Sequence, residues 1–90
     1  GSEMCIRDSY STKSEAESAM YAAIDDAAAN GKNVAEIRVT DKSIYDTLMS
    51  DDYFRTFQKY AKKNYSNVTK LMRQSSFTGG VYVVHYDLVY

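Results

Sequence analysis

The ten residues VYVVHYDLVY, at positions 81–90, constrain the fold of this chain more than any other segment. β-Branched and aromatic residues dominate the segment, which is typical of a β-strand. Positions 82, 84, 86, 88 and 90 share one face and positions 81, 83, 85, 87 and 89 share the other. Because neither face is wholly polar, the strand is expected either at the centre of a sheet or in a subunit interface.

A second strand is predicted over 33–40, NVAEIRVT, in which apolar and polar residues alternate. Upstream of it, EAESAMYAAIDDAAANGK has apolar residues at helical spacing. Ser14 followed by Glu17 is a capping-box pattern, and Asn30-Gly31 is a helix stop, so a helix is predicted over 14–30. Its apolar stripe is mostly alanine, which allows close packing.

The next helical segment is predicted to be capped by Thr40 or Asp41, and its apolar side consists of Ile44, Tyr45, Leu48 and Met49. SDD at 50–52 is another capping signal, so this segment is either one long amphipathic helix or breaks there and restarts as 52–64.

Residues 65–77 allow two interpretations. The favoured one is a short helix capped by Ser66, with Val68, Leu71 and Met72 inward, followed by a loop. The alternative is a hairpin, in which TKLMRQSSF pairs with the last strand through TGG at 78–80. The whole is predicted to be a small two-layer α+β domain with an N-terminal Ala-rich helix, a strand, the long helical segment and a C-terminal strand or hairpin.

The first eleven residues are expected to lie outside this domain. Gly1-Ser2 is typical of an expression scar, and MCIRDS at 4–9 resembles translated sequencing-adapter remnants at the ends of reading frames in metagenomic assemblies. The domain is therefore assigned to 12–90, and an environmental or gut DNA source is expected.

Ninety residues suffice for one domain with a small core and marginal stability. Oligomerisation commonly stabilises such domains, so a homo-oligomer is expected. The single Cys5 excludes an internal disulfide and a thiolate metal cluster, which fits the cytoplasm of a bacterial host. No apolar run reaches the roughly 18 residues of a transmembrane helix, so no membrane partner is expected.

The charge is divided unevenly along the chain. Residues 1–52 hold eleven acids and five bases, whereas residues 53–90 hold six bases and only one acid, Asp87. On a helical wheel of 53–65, the aromatic residues fall on one side and the bases on the other. The predicted ligand-binding residues are the six bases and one tyrosine of this region: Arg55, Lys59, Lys62, Lys63, Lys70, Arg73 and Tyr65.

Phosphates accept bidentate hydrogen bonds from arginine and point-charge contacts from lysine, so this surface indicates a phosphate-bearing ligand. The competing interpretation is an ordinary solvated face, in which the helix dipole favours Lys62 and Lys63 and the acids of the first helix neutralise the bases. Of the nine tyrosines, Tyr53, Tyr60 and Tyr86 are predicted in the core, and Tyr65, Tyr82 and Tyr90 are predicted to be more available to a partner.

No catalytic, cofactor or metal site is predicted. His85 is the only histidine; it can pair with Asp87, but an ordinary hydrogen-bonded role is more common, and no further ligands exist for a metal. The carboxylates of Asp25-Asp26 are adjacent in sequence, as are those of Asp51-Asp52. Adjacent side chains point about 100° apart on a helix, so neither pair is a two-carboxylate acid/base site. P-loop, RNA-recognition and KH motifs are absent from the sequence.

Two functions remain as hypotheses. The first is a non-enzymatic binding protein that engages a signalling nucleotide or nucleic acid through the basic helix. The second is a protein-binding inhibitor that uses its bipolar charge against a larger bacterial defence protein. Either would suit a phage protein that evades bacterial immunity.

Overall fold

The computed structural model describes Tyr10 and residues 12–90; the predicted non-native segment 1–11 lies, apart from Tyr10, outside the described residues. The described residues form three helices and three strands. In chain order these are α1 (Lys13–Ala29), β1 (Val34–Val39), α2 (Lys42–Leu48), α3 (Asp51–Asn64), β2 (Lys70–Thr78) and β3 (Val81–Val89).

The strands form one antiparallel sheet in the order β1-β3-β2, so the prediction of a central position for β3 is confirmed. In the register, Val84 of β3 pairs with Ile37 of β1, and Leu88 pairs with Leu71 of β2. Helix α1 packs on β1, α2 on β3 and α3 on β2. All three helices contact the face that carries these buried side chains, which gives the predicted two-layer α+β domain.

The core lies between this sheet face and the helices. Its largest fully buried side chains come from every layer of the domain: Met20, Ile24, Leu48, Phe57, Leu71, Val84, Tyr86 and Leu88. The opposite face of the sheet, which we call the open face, has no helix over it in the described part of the chain.

The predicted first helix and first strand are confirmed, with one change at the helix start. The N-cap of α1 is Thr12 and not Ser14, because the Glu15 amide donates to Thr12 Oγ1 at 3.2 Å. At the other end, Gly31 has φ 67°, the left-handed conformation that the predicted stop requires.

The long helical segment is broken, as the second of the two alternatives predicted. Asp41 caps α2 by accepting hydrogen bonds from the amides of Ser43 and Ile44 at 2.8 and 3.3 Å, and hydrogen bonding to Ser43 and Ile44 lowers the pKa of the Asp41 carboxyl. Ser50 caps α3, since its Oγ accepts from the Tyr53 amide at 3.4 Å. Because Ser50 starts a new helix, α3 can run in a different direction from α2.

The favoured helix-and-loop interpretation of 65–77 is wrong, and the hairpin is right. Gly79 and Gly80 have φ 56° and 82°, and positive φ at both central residues is the condition for a tight hairpin turn. Val68 and Leu71 are buried as predicted, but Met72 is 45% exposed on the open face. Pairing with β3 provides hydrogen-bond partners for a nine-residue strand, which a single isolated helical turn would not.

Candidate anion-binding surface

Helix α3 has one apolar side and one basic side. Phe57 and Ala61 are fully buried, whereas the bases on the opposite side are exposed: Arg55, Lys59, Lys62 and Lys63. The mixing of aromatic and basic residues in the linear sequence is therefore amphipathic periodicity, since the aromatic rings of this helix pack on the core.

Three lysines of this side form what we call the lysine face: Lys59, Lys62 and Lys63. Among residues 12–90 and Tyr10, no carboxylate lies within 4.0 Å of their ammonium groups. Lys62 and Lys63 lie in the last turn of α3, where the helix dipole favours cations. The lysine face is thus a cluster of positive charge without compensating acids in the described structure.

Two acids of α1, Asp25 and Asp26, have partners other than these lysines. Asp25 accepts hydrogen bonds from the hydroxyls of Tyr60 and Tyr65, and Asp26 pairs with Lys32 at 3.1 Å. Neither carboxylate is therefore ion-paired with the lysine face within 4.0 Å.

The two predicted arginines are paired with the first turn of α3. Arg55 Nη2 lies 2.9 Å from Asp52 Oδ1, and the two side chains are 68% and 88% exposed, so the pair contributes little stability. Arg73 Nη1 lies 2.9 Å from Asp51 Oδ1 and donates to the Met49 carbonyl at 2.8 Å. Its guanidinium also stacks on the Phe54 ring at 4.7 Å. Arg73 holds β2 to the α2–α3 junction.

The remaining two predicted residues lie apart from the lysine face. Lys70 precedes the buried Leu71 on β2, so its side chain projects from the open face of the sheet. Tyr65 packs against the core, and its hydroxyl donates to Asp25 Oδ1 at 2.7 Å. The structure therefore brings together Arg55 and the lysine face, with Arg73 near the start of the same helix, but neither Lys70 nor Tyr65.

The shared carboxylate of Asp25 changes the acidity of both tyrosines. Tyr60 donates to Asp25 Oδ1 at 2.8 Å, and this hydrogen bond, with partial burial, raises the pKa of Tyr60 to about 12. The hydrogen bond to Asp25 likewise raises the pKa of Tyr65. The three side chains fasten the end of α3 to α1.

The open face carries a polar cluster around His85. Its Nε2 lies 2.7 Å from Asp87 Oδ1, and its Nδ1 lies 3.4 Å from Glu36 Oε1. Gln74 donates to the other oxygen of Asp87 at 3.0 Å. His85 thus contacts Asp87, the pairing that the sequence allowed as the less favoured alternative. Within the described residues, no group of three histidine, cysteine, aspartate or glutamate side chains could hold a metal ion.

An aromatic row at the hairpin end of the sheet was not predicted. The ring centroids of Phe77 and Tyr82 are 4.6 Å apart, and those of Tyr82 and Tyr45 are 4.9 Å apart with an interplanar angle of 30°. Phe77 is 57% exposed. We call these three residues the aromatic row. The row could have been predicted from the hairpin alternative for residues 65–77, because only that pairing places Phe77 opposite Tyr82.

Comparison with protein-family models, with curated proteins and with solved structures found no match for this chain. Among the described helices, none has the length and apolar character needed to cross a bilayer. The fold and the surface described above are therefore the basis for a functional proposal.

Proposed function

We propose that this chain is a non-enzymatic binding protein whose lysine face takes the phosphates of a nucleic acid or of a signalling nucleotide. The observation that carries the proposal is that three clustered ammonium groups have no carboxylate partner within the described residues. All three lysine residues are exposed to solvent.

Electrostatics supports a multivalent anion as the ligand. Lys59 and Lys63 are four residues apart on the helix and repel each other by a few tenths of a kcal/mol. A ligand with several phosphates would relieve that repulsion and release its own counterions on binding. Arg55 adjoins the lysine face, and its exposed pair with Asp52 is weak enough to be exchanged for a phosphate.

The proposal is tested by fluorescence anisotropy with labelled oligonucleotides and cyclic nucleotides at 50 and 200 mM salt. Each phosphate contacted on a single strand contributes roughly 0.7 to the slope of log affinity against log salt. Three or four contacts would therefore weaken binding about 20- to 50-fold between these concentrations. Absence of binding to both ligand classes at low salt would contradict the proposal.

Removing two charges of the lysine face, in Lys59→Gln/Lys62→Gln, is expected to weaken nucleic-acid binding roughly 25-fold at 0.1 M salt. The estimate follows from a loss of about fivefold for each phosphate contact at that salt concentration. The matched control is Lys32→Gln/Arg38→Gln, which changes the net charge equally at residues outside α3, one after α1 and one on β1. Equal weakening by both variants would show that net charge, and not this surface, controls the affinity.

The open face of the sheet supports a second candidate function, a protein-binding inhibitor of a bacterial defence protein. Val34 and Met72 are 41% and 45% exposed there, and both pair in register with Asp87 of the polar cluster. Apolar side chains around charged groups suit a protein partner. Pull-down from a bacterial lysate with and without nuclease distinguishes the candidates, because a protein partner of the open face would survive nuclease.

A further inference from the structure

We propose that the aromatic row is a base-stacking subsite, and that the ligand of the lysine face is a single-stranded nucleic acid. This inference rests on the proposed function, because it names the ligand class of the same surface. It adds a second contact that involves no charge, the stacking of a base on the ring of Phe77.

The first step of the argument is the exposure of Phe77. At 57% it is the most exposed large apolar side chain of the described residues, although it lies in an ordered strand. Tyr82 covers one side of the ring, and Tyr45 in turn stacks on Tyr82. The row is therefore backed by α2 and β3, and its outer member remains accessible. Successive bases stack on such rings without regard to sequence, because every base has a π-face.

The second step is the position of the row relative to the bases of α3. Tyr82 and Phe77 face the helical side of the sheet, where α3 also packs on β2. Gln58 of α3 accepts a hydrogen bond from the Leu71 amide at 2.9 Å, which places the C-terminal half of this helix, with the lysine face, beside one end of β2. Leu71 and Phe77 are six positions apart on β2, which is about 20 Å at the rise of a strand. Arg73 lies between them on the helical side, with its side chain 36% exposed. The lysine face and the aromatic row thus lie toward opposite ends of one strand.

The third step is the choice among phosphate-bearing ligands. A duplex hides the faces of its bases within the stack, so it could contact the lysine face but not stack on Phe77. A mononucleotide is too short to reach both surfaces across this distance. A single strand of several nucleotides has a flexible backbone and accessible bases, and it is the ligand that both surfaces fit.

The experiment compares three labelled ligands of equal length by anisotropy: oligo-dT, the same strand without bases, and a duplex. Phe77→Ala is expected to weaken oligo-dT binding about 5- to 150-fold, the range that corresponds to the loss of one stacked base. Affinity for the abasic strand and the salt slope of oligo-dT binding should stay unchanged. Met72→Ala is the matched control, because Met72 is an exposed apolar residue of the same strand on the open face; this variant should bind oligo-dT like the unaltered protein.

Two further variants separate the ring from the fold. Phe77→Tyr keeps a stacking ring and should keep the affinity, whereas Phe77→Ile keeps strand propensity but loses the ring and should behave like Phe77→Ala. If Phe77→Ala does not fold, these two variants and the oligo-dT versus abasic comparison on the unaltered protein decide the question.

Each of the other possible outcomes contradicts one part of the proposal. Equal affinity for oligo-dT and the abasic strand would remove the stacking subsite but leave phosphate binding intact. Absence of binding to all three ligands would reject nucleic acid as the ligand, and it would reject the proposed function itself if the cyclic nucleotides also fail to bind. A dimer in light scattering that Phe77→Ala converts to a monomer would show that a second copy covers the row, and would overturn the stacking proposal.

Discussion

Replacing Phe57 by alanine is expected to lower the free energy of unfolding by about 3–5 kcal/mol, the usual cost of removing a fully buried phenylalanine. Phe57 has no exposed surface, and its ring lies 5.1 Å from that of Tyr21 on α1 and 5.5 Å from that of Tyr86 on β3. The cavity would therefore open where three elements meet. Domains of this size have free energies of unfolding of roughly 5–13 kcal/mol, so the variant should lose a large part of its stability.

Urea denaturation followed by circular dichroism measures this effect. The matched control is Phe77→Ala, the same substitution at a side chain that is 57% exposed, which is expected to cost less than about 1 kcal/mol. Similar losses in the two variants would mean that α3 does not pack on the core as described.

Raising the pH above 10 is expected to destabilise the domain strongly. The folded state raises the pKa of Tyr60 to about 12 and also raises the pKa values of Tyr65 and Tyr86 above that of an ordinary tyrosine. A raised pKa means that the unfolded chain binds fewer protons in this range. The stability that these hydroxyls contribute is therefore present below pH 10 and is lost as the pH rises through about 12.

The variant Asp25→Asn isolates the part of this effect that depends on the shared carboxylate. It weakens the hydrogen bonds to residue 25 and removes the negative charge, both of which oppose ionisation of Tyr60 and Tyr65, so their pKa values should fall toward the ordinary value. Unfolding free energies measured from pH 8 to pH 12 should then decline less steeply than in the unaltered protein. An unchanged pH dependence would show that Asp25 does not control these tyrosines.

Much of the fold was predictable because its signals are local. Asp41 and Ser50 are caps of residue types that mark helix starts, and the alternation around Ala35, Ile37 and Val39 defined β1 before any tertiary contact was known. The exception is β2. The apolar residues at 68, 71 and 72, just before and within this strand, suit one helical turn. The strand state of β2 depends on pairing with residues up to about 20 positions away.

The basic side of α3 was predictable for the same reason, since helical periodicity fixes which residues share a side. The partners of those bases were not predictable from the sequence. Arg73 contacts Asp51 only because the hairpin places β2 beside the α2–α3 junction, and Asp25 accepts hydrogen bonds from Tyr60 and Tyr65 at the end of α3. Neither contact follows from spacing along the chain.

The central position of β3 has a consequence for how this domain is made on the ribosome. Val34 of β1 pairs with Asp87, 53 positions later, so β1 and β2 have no common neighbour until β3 has left the exit tunnel. The β2–β3 hairpin closes a short loop and can form early, whereas β1 must wait for a long-range search that slows folding. During synthesis, the α1–β1 segment therefore carries an unpaired strand edge, and that nascent segment is the one most in need of a chaperone.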